Sequence, residues 1–396
     1  MKRRAVITGT GAVSPLGVGA ETLVDRWTRG ESGIVDGDAS CREFDPLEFL
    51  SRKEARRADR FTQLALAASD EALAKAGWEE LPYDSRRIGC VIGTGIGGIG
   101  SLMEQSAVLR EKGAKAVSPL AVPLMMANAG SAAVAMRHGL NSESFGVVSA
   151  CAAGAHAIGT AVRMIRAGAA DAVVTGGSES AMTDVAIAAF ASMGATSPTG
   201  ISRPFDARRD GFVMGEGAGV LVLEDAEAAE ARGATILGEI LGYGASSDAH
   251  HLTAPDPSGT ESARAIRMAL DDAGLGVEDI DYVNAHGTST PLNDRSETDA
   301  LKLAFGEAAG SVPVSSTKSV IGHLMGAAGA VEAVATTTLL GRHVAPPTVG
   351  LEQFEEGLDL DYVPGEAREL PGEQLYAISN SFGFGGHNAV LCIAAT

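Results

Sequence analysis

Aromatic side chains are scarce in this chain, at only 5% of 396 residues, and there are just two tryptophans and four cysteines. A core short of rings must be built from aliphatic and small side chains, and the 50 glycines let backbone approach backbone closely. Cys41, Cys90, Cys151 and Cys392 lie far apart, with no CxxC pair and no histidine at zinc spacing. That pattern argues against a disulfide framework or a metal site and suits a reducing cytoplasm. No uninterrupted run of ~18 apolar residues occurs, so no membrane span is expected. Basic residues are also in deficit, 31 against 50 acidic, for a net charge of −19. A chain this acidic repels nucleic acid and anionic membranes, and an acidic partner needs a local basic patch. The N-terminus, MKRRAVITGTGAVSP, has the charge of a secretion signal. Its apolar run is short and breaks at Gly9, Gly11 and Pro15, so it reads as a first strand.

What is present is an alternation of strand-like and helix-like segments without low-complexity tracts. Residues 5–12, 89–96, 145–150, 171–177 and 219–225 read as buried strands that end in Gly or small residues. Segments 61–77, 155–168, 226–233 and 261–274 read as helices that stop at Gly. The pattern restarts near residue 242. Strands are expected at 239–247, 282–287, 312–317 and 389–394, and helices at 295–305 and 326–341. The reading is α/β, in two similar halves, 1–242 and 243–396, with no exposed linker.

Several residues carry chemistry. Cys151 sits between a strand and a small-residue helix. The amides and dipole at such a helix start stabilise an anion and are expected to lower a thiol pKa. Ala150, Ala152, Ala153 and Gly154 leave room for a thioester, although the same features fit a buried structural thiol. His286 ends the run DYVNAHGTSTPLND, and His323 lies in SSTKSVIGHLMGAAGAVEA, with Lys318 and Glu332 on either side. Each histidine alone is as well explained by a structural hydrogen bond. A buried Lys–Glu pair could orient an imidazole, and a surface ion pair is the ordinary alternative. NSFGFGGHN (380–388), which contains Phe382 and Phe384, can bend sharply and offer amides to an oxyanion, or can simply connect strands.

Residues 93–98, GTGIGG, match GxGxxG after a strand. A dinucleotide site also needs a helix opening at the third Gly and an acidic residue about 20 positions on, and neither is evident. SRKEARRADR (51–60) gathers Arg52, Lys53, Arg56, Arg57 and Arg60, with 52, 56 and 60 on one helical face. It is a solvated face or a dock for an acidic partner.

Together, VSACAAGAHAIG, SRPFDARRDGFVMGEGAGVLVLE, NAHGTSTPLND, SSTKSVIGHLMGAAGAVEA and NSFGFGGHN resemble the β-ketoacyl-acyl-carrier-protein synthase family, in family order and nearly end to end. Within it the likeness is to the type II elongating enzymes. The resemblance implies a thiolase-like fold, a five-layered α-β-α-β-α sandwich, and a homodimer. It implies an acyltransferase of fatty-acid synthesis that condenses malonyl-carrier with an acyl group held on Cys151. His286, His323 and Lys318 match family active-site residues, and Glu332 matches a structural glutamate. The amides of Cys151 and Phe384 match the oxyanion hole, and Phe384 also matches a gating residue. Ile96 matches an acyl-pocket residue, while Thr288 and Thr290, with Thr253 nearby, match contacts to the phosphopantetheine arm. Phe382 falls in the same binding region. Arg52, Lys53, Arg56 and Arg57 match the dock for acyl carrier protein. No metal or redox cofactor is implied, because the substrates ride on the carrier's phosphopantetheine.

Departures from the family bear on carrier and chain length. The 33–51 stretch is short, Gly194 stands where relatives often carry a basic residue, and Ala121 holds an often aromatic position. A ketosynthase of a type II polyketide or polyene pathway uses the same residue set. A non-condensing partner subunit lacks the nucleophile. A thiolase would carry a second cysteine near the C-terminus, and an initiating synthase an asparagine at 323. An NAD(P)-dependent oxidoreductase is the outside alternative.

Overall fold

Runs buried on both faces have to be sheathed on both sides, and that requirement organises the molecule. The computed structural model describes residues 3–395. The strands used below are β1 (Ala5–Ser14), β2 (Ile88–Gly93), β3 (Ser144–Val147), β4 (Ala172–Glu179) and β5 (Gly217–Asp225). They are followed by β6 (Gly238–Ser247), β7 (Tyr282–Asn284), β8 (Val314–Ser315), β9 (Tyr376–Gly383) and β10 (His387–Ala395). The helices are α1 (Ala20–Thr28), α2 (Arg60–Lys75), α3 (Ala153–Arg166), α4 (Thr260–Ala273), α5 (Pro291–Phe305) and α6 (Ala328–Gly341).

The strands lie in the order β3-β2-β4-β5-β1-β6-β10-β9-β7-β8. From each outer edge inward the plan is the same: two parallel pairings, then two antiparallel ones. Among the described residues, β1 and β6 join the two sets, Val6 pairing with Glu239 and Ile7 with Gly238. Helix α2 covers the outer face of the first set, and α4, backed by α5, covers the second. Helices α3 and α6 lie between them and touch both sets, which completes the α-β-α-β-α sandwich. Every residue of β1, β4 and β5 is buried, as suits strands covered on both faces.

The central helices approach through small residues. A β-carbon added to Gly154 would lie 2.8 Å from the Ala330 amide nitrogen, and one on Gly329 would lie 3.1 Å from the Ala155 β-carbon. Glycines also end helices as expected: Gly77, Gly168, Gly233 and Gly274 take left-handed backbone, φ +71° to +73°.

Several expectations need correction. The 242/243 division falls inside β6, so the whole of that strand belongs with the second set. The 380–388 loop is mostly strand, the end of β9 and the start of β10, with a turn at Phe384–Gly386. Helices at Ala20–Thr28, Ile99–Lys112, Ala129–His138 and Asp184–Ser192 were not anticipated. The basic helix runs only Arg52–Ala55, so positions 52, 56 and 60 share no face. Arg60 opens α2 and turns inward, donating to Glu216 at 2.9 Å. Among the described residues no helix is long and apolar enough to cross a membrane.

Trp27 of α1 is fully buried and donates from Nε1 to the Pro347 carbonyl at 2.9 Å, tying the first half to the second. Trp27→Ala should cost roughly 3–5 kcal/mol of stability. Thermal unfolding is expected to shift down sharply, and an unchanged midpoint would contradict this packing.

Candidate active site

A short turn presents Cys151. Strand β3 ends at Val147, a single 3₁₀ turn spans Ala150–Ala152, and α3 begins at Ala153. Ala150 is held at φ +49°, a strained conformation for a residue with a β-carbon. This conformation sets Cys151 in the turn that opens α3. The tip of the β9–β10 hairpin lies over this turn. A β-carbon on Gly383 would sit 3.1 Å from the Cys151 nitrogen. The amides of Phe384 and of Cys151 itself both point at the sulfur and favour its anion.

The pKa expectation for Cys151 is overturned all the same. Burial pushes the thiol up to about 11, outweighing the Phe384 amide and the nearby Lys318 charge that pull it down. The helix start is there as expected, but the site is too dry for it to win. The resting nucleophile is a thiol.

His286 follows β7 by two residues. Its own amide and that of Gly287 donate to the Glu297 carboxylate of α5, at 2.8 and 2.7 Å. His323 is fixed through its amide, which donates to the Val213 carbonyl at 2.7 Å. Its Nδ1 accepts from the Met325 amide at 3.3 Å, so the ring proton sits on Nε2. The two rings stand 5.3 Å apart and nearly perpendicular. Burial, and then the Lys318 charge, hold both well below the ordinary histidine range. Both imidazoles are therefore neutral.

Lys318 and Glu332 form a buried ion pair, each side chain 1% exposed. The pair stands behind the histidines, outside the cavity lining. A cavity of about 500 Å³ gathers Cys151, His286, His323, Phe382 and Phe384 with Ile96, Thr253, Thr288 and Thr290. Thr288 and Thr290 share a hydroxyl hydrogen bond of 2.8 Å. Gly194 lines the same cavity, together with Phe190, Met193 and Phe212, which the sequence reading did not single out. Arg52, Lys53, Arg56 and Arg57 lie outside it and are exposed.

Two buried carboxylates were also missed, Glu179 and Glu297. Burial raises each to about 7, against several donated hydrogen bonds. Their partners are mostly backbone amides, remote in sequence for Glu179 and ten and eleven residues off for Glu297, and an amide carries no residue type to mark it. The GTGIGG loop does lead into a helix, Ile99–Lys112. Yet the Gly95 and Ile96 amides, which a phosphate would need, donate to Glu179.

This is the geometry of covalent acyl transfer: a nucleophile under two amides, facing neutral hydrogen-bonding imidazoles. The comparisons narrow the class. The model of the β-ketoacyl synthase N-terminal domain matches residues 2–229, and that of the C-terminal domain matches 237–352. A relative in Synechocystis, 3-oxoacyl-[acyl-carrier-protein] synthase 2, is 47% identical over 98% of this chain and 97% of its own. The solved ishigamide ketosynthase/chain length factor superposes with a TM-score of 0.92 at 36% identity, covering both chains fully. A type II PKS ketosynthase in complex with its acyl-carrier protein, AntDE:AntF, gives 0.91 at 31% identity, again over both full chains. The chain belongs to the β-ketoacyl synthase family and has its thiolase-like fold.

A thiol held high by burial makes a pH prediction. Only the thiolate is alkylated, so iodoacetamide should modify Cys151 about tenfold faster per pH unit from pH 7 to 10. A rate already level near pH 7 would show a depressed pKa instead.

Proposed function

We infer that the chain is an elongating 3-oxoacyl-[acyl-carrier-protein] synthase, joining malonyl-carrier to an acyl group on Cys151 and lengthening a fatty acyl chain by two carbons. The observation that carries this reading is one cavity in which a thiol under two amides faces two neutral imidazoles.

In the first half-reaction the Cys151 sulfur attacks the acyl-carrier thioester. Its proton passes to a neutral imidazole as the bond forms, because a thiol with a pKa near 11 is mostly protonated at neutral pH. The Cys151 and Phe384 amides hold the oxyanion, and the carrier thiol leaves with the proton. Malonyl-carrier enters next. Its carboxylate departs as CO₂, and the electron pair of the broken carbon–carbon bond becomes an enolate. His323, protonated on Nε2, donates to the enolate oxygen, with His286 beside it. The carbanion attacks the acyl-cysteine carbonyl, and Cys151 leaves as thiolate and takes a proton from solvent. The electrons come from the bond that breaks, so the carrier's phosphopantetheine is the one prosthetic group this scheme calls on. Lys318, paired with Glu332, helps to keep both imidazoles neutral.

The partner is an acidic carrier protein docked at Arg52, Lys53, Arg56 and Arg57. These exposed cations have no carboxylate within ion-pair distance among the described residues, on a chain of net charge −19. Asp59, two residues past Arg57, accepts from the Ser101 amide at 2.8 Å, which ties the cluster's segment to the helix Ile99–Lys112 that follows Ile96. Thr253, Thr288 and Thr290, which line the cavity, are the groups we assign to the arm.

A second copy pairs along β3. That strand ends the sheet with a free edge, beside exposed Ile96, Val122, Met126 and Val148. Four free cysteines support a cytoplasmic setting. A polyketide ketosynthase is the second reading, favoured by the two solved ketosynthases above and separated by the chain lengths accepted.

The test is Cys151→Gln, whose amide stands in for the acyl-cysteine carbonyl. It is expected to form no β-ketoacyl product yet still release CO₂ from malonyl-carrier. Product formation by this variant overturns the scheme. For docking, Arg56→Glu with Arg57→Glu should raise KM for acyl-carrier several-fold at low salt, and the effect should shrink as salt screens it. Identical kinetics at low salt would reject that surface.

A further inference from the structure

One carboxylate lies outside the cavity lining, near enough to act on the Cys151 charge, and has no part in the scheme above. Glu179 ends β4 and is fully buried. Its Oε1 accepts the Thr94 hydroxyl at 3.0 Å. Its Oε2 accepts three amides, from Gly95 at 2.5 Å, Ile96 at 3.2 Å and Gly326 at 3.3 Å.

These donors come from two walls of the cavity. Residues 94–96 carry Ile96, whose side chain faces the cavity. Gly326 lies three residues beyond His323, next to Met325, which is held at φ +48°. The nucleophile turn adjoins both, since a β-carbon on Gly95 would lie 3.6 Å from the Ala150 carbonyl. The fit leaves no slack. A β-carbon on Gly95 would sit 2.7 Å from Glu179 Oε2, and one on Gly326 would sit 2.0 Å from the Gly95 nitrogen. Two glycines are required so that one carboxylate can bridge the two segments.

An apolar residue could fill that volume. A carboxylate with four donors does more, because charge-assisted hydrogen bonds fix the segments that supply them. We propose that Glu179 is a positioning residue for acyl-chain selectivity, clamping the backbone of Ile96 to the turn that follows His323. The proposal rests on the condensing reading above. Tails that differ by two carbons are told apart only by a wall that does not yield, because each methylene contributes little discrimination. With the backbone of Ile96 tied down, the acyl pocket keeps one shape relative to Cys151. Released, it adapts to tails of several lengths.

The experiment measures kcat/KM for acyl-carrier proteins with tails of increasing length, in the full chain and in Glu179→Gln. Glutamine keeps the volume but removes the charge that strengthens the four hydrogen bonds, and leaves only one of its two ends able to accept them. The ratio of kcat/KM between the best tail and one two carbons longer is expected to fall about fivefold or more. A profile of unchanged shape, with every tail scaled by one factor, overturns the proposal, because a merely structural role would act that way. If Glu179→Gln does not fold, Thr94→Val removes one donor at nearly constant shape. It is expected to flatten the profile less but in the same direction, and an unaltered profile overturns the clamp. Acyl transfer to Cys151 in the unsubstituted chain, read by mass, separates the two levels. Its absence overturns the condensing reading, whereas intact transfer with unaltered selectivity in the variants overturns only the role of Glu179.

Discussion

Helices α3 and α6 touch almost backbone to backbone, and the active site depends on that contact. Gly154 faces Ala330 and Gly329 faces Ala155, with no room for larger side chains. The nucleophile turn immediately precedes α3, and the Met325–Ala327 turn, two residues past His323, immediately precedes α6. Bringing the two helix starts together therefore brings the sulfur of the first half to the imidazoles of the second. The small-residue bias of the whole chain serves this geometry. Bulkier side chains would pack a core as well but would move the halves apart.

The dryness created by this packing sets the electrostatics. Burial raises the Cys151 thiol and lowers both histidines, so the reacting groups start out neutral. The charges that remain inside are held by partners: Lys318 against Glu332, and Glu297 under the amides of His286 and Gly287. A buried pair of this kind is weak evidence for added stability, since desolvating both ions consumes most of their attraction. Its effect on neighbours is plainer, because the Lys318 charge acts on the sulfur and on both imidazoles. The site thus offers donors and dipoles aimed at charge that exists only during reaction.

The fold was legible where side-chain pattern reports burial. Strands β1, β4 and β5 are rich in aliphatic and small residues, and Gly77, Gly168, Gly233 and Gly274 mark helix ends. The helix Ile99–Lys112 left no such trace because it buries none of its residues, and Asp184–Ser192 buries only Ala186. The whole of β9 was missed, and its Gly-rich end was read as loop. In the site, Cys151, His286 and His323 stood out by residue type and small neighbours. The Cys151 pKa went the wrong way because a sequence shows a helix start but not how dry it is. Glu179 and Glu297 were invisible because backbone amides carry no residue identity.

The central claim is that the two halves build one acyl-transfer site on a single sulfur. It is tested most directly by peptide-mapped mass spectrometry of the chain after incubation with acyl-carrier protein. The account predicts one acyl equivalent per chain, carried on Cys151 and removed when malonyl-carrier is added. Acylation at another residue, or an acyl group that malonyl-carrier does not discharge, would contradict it.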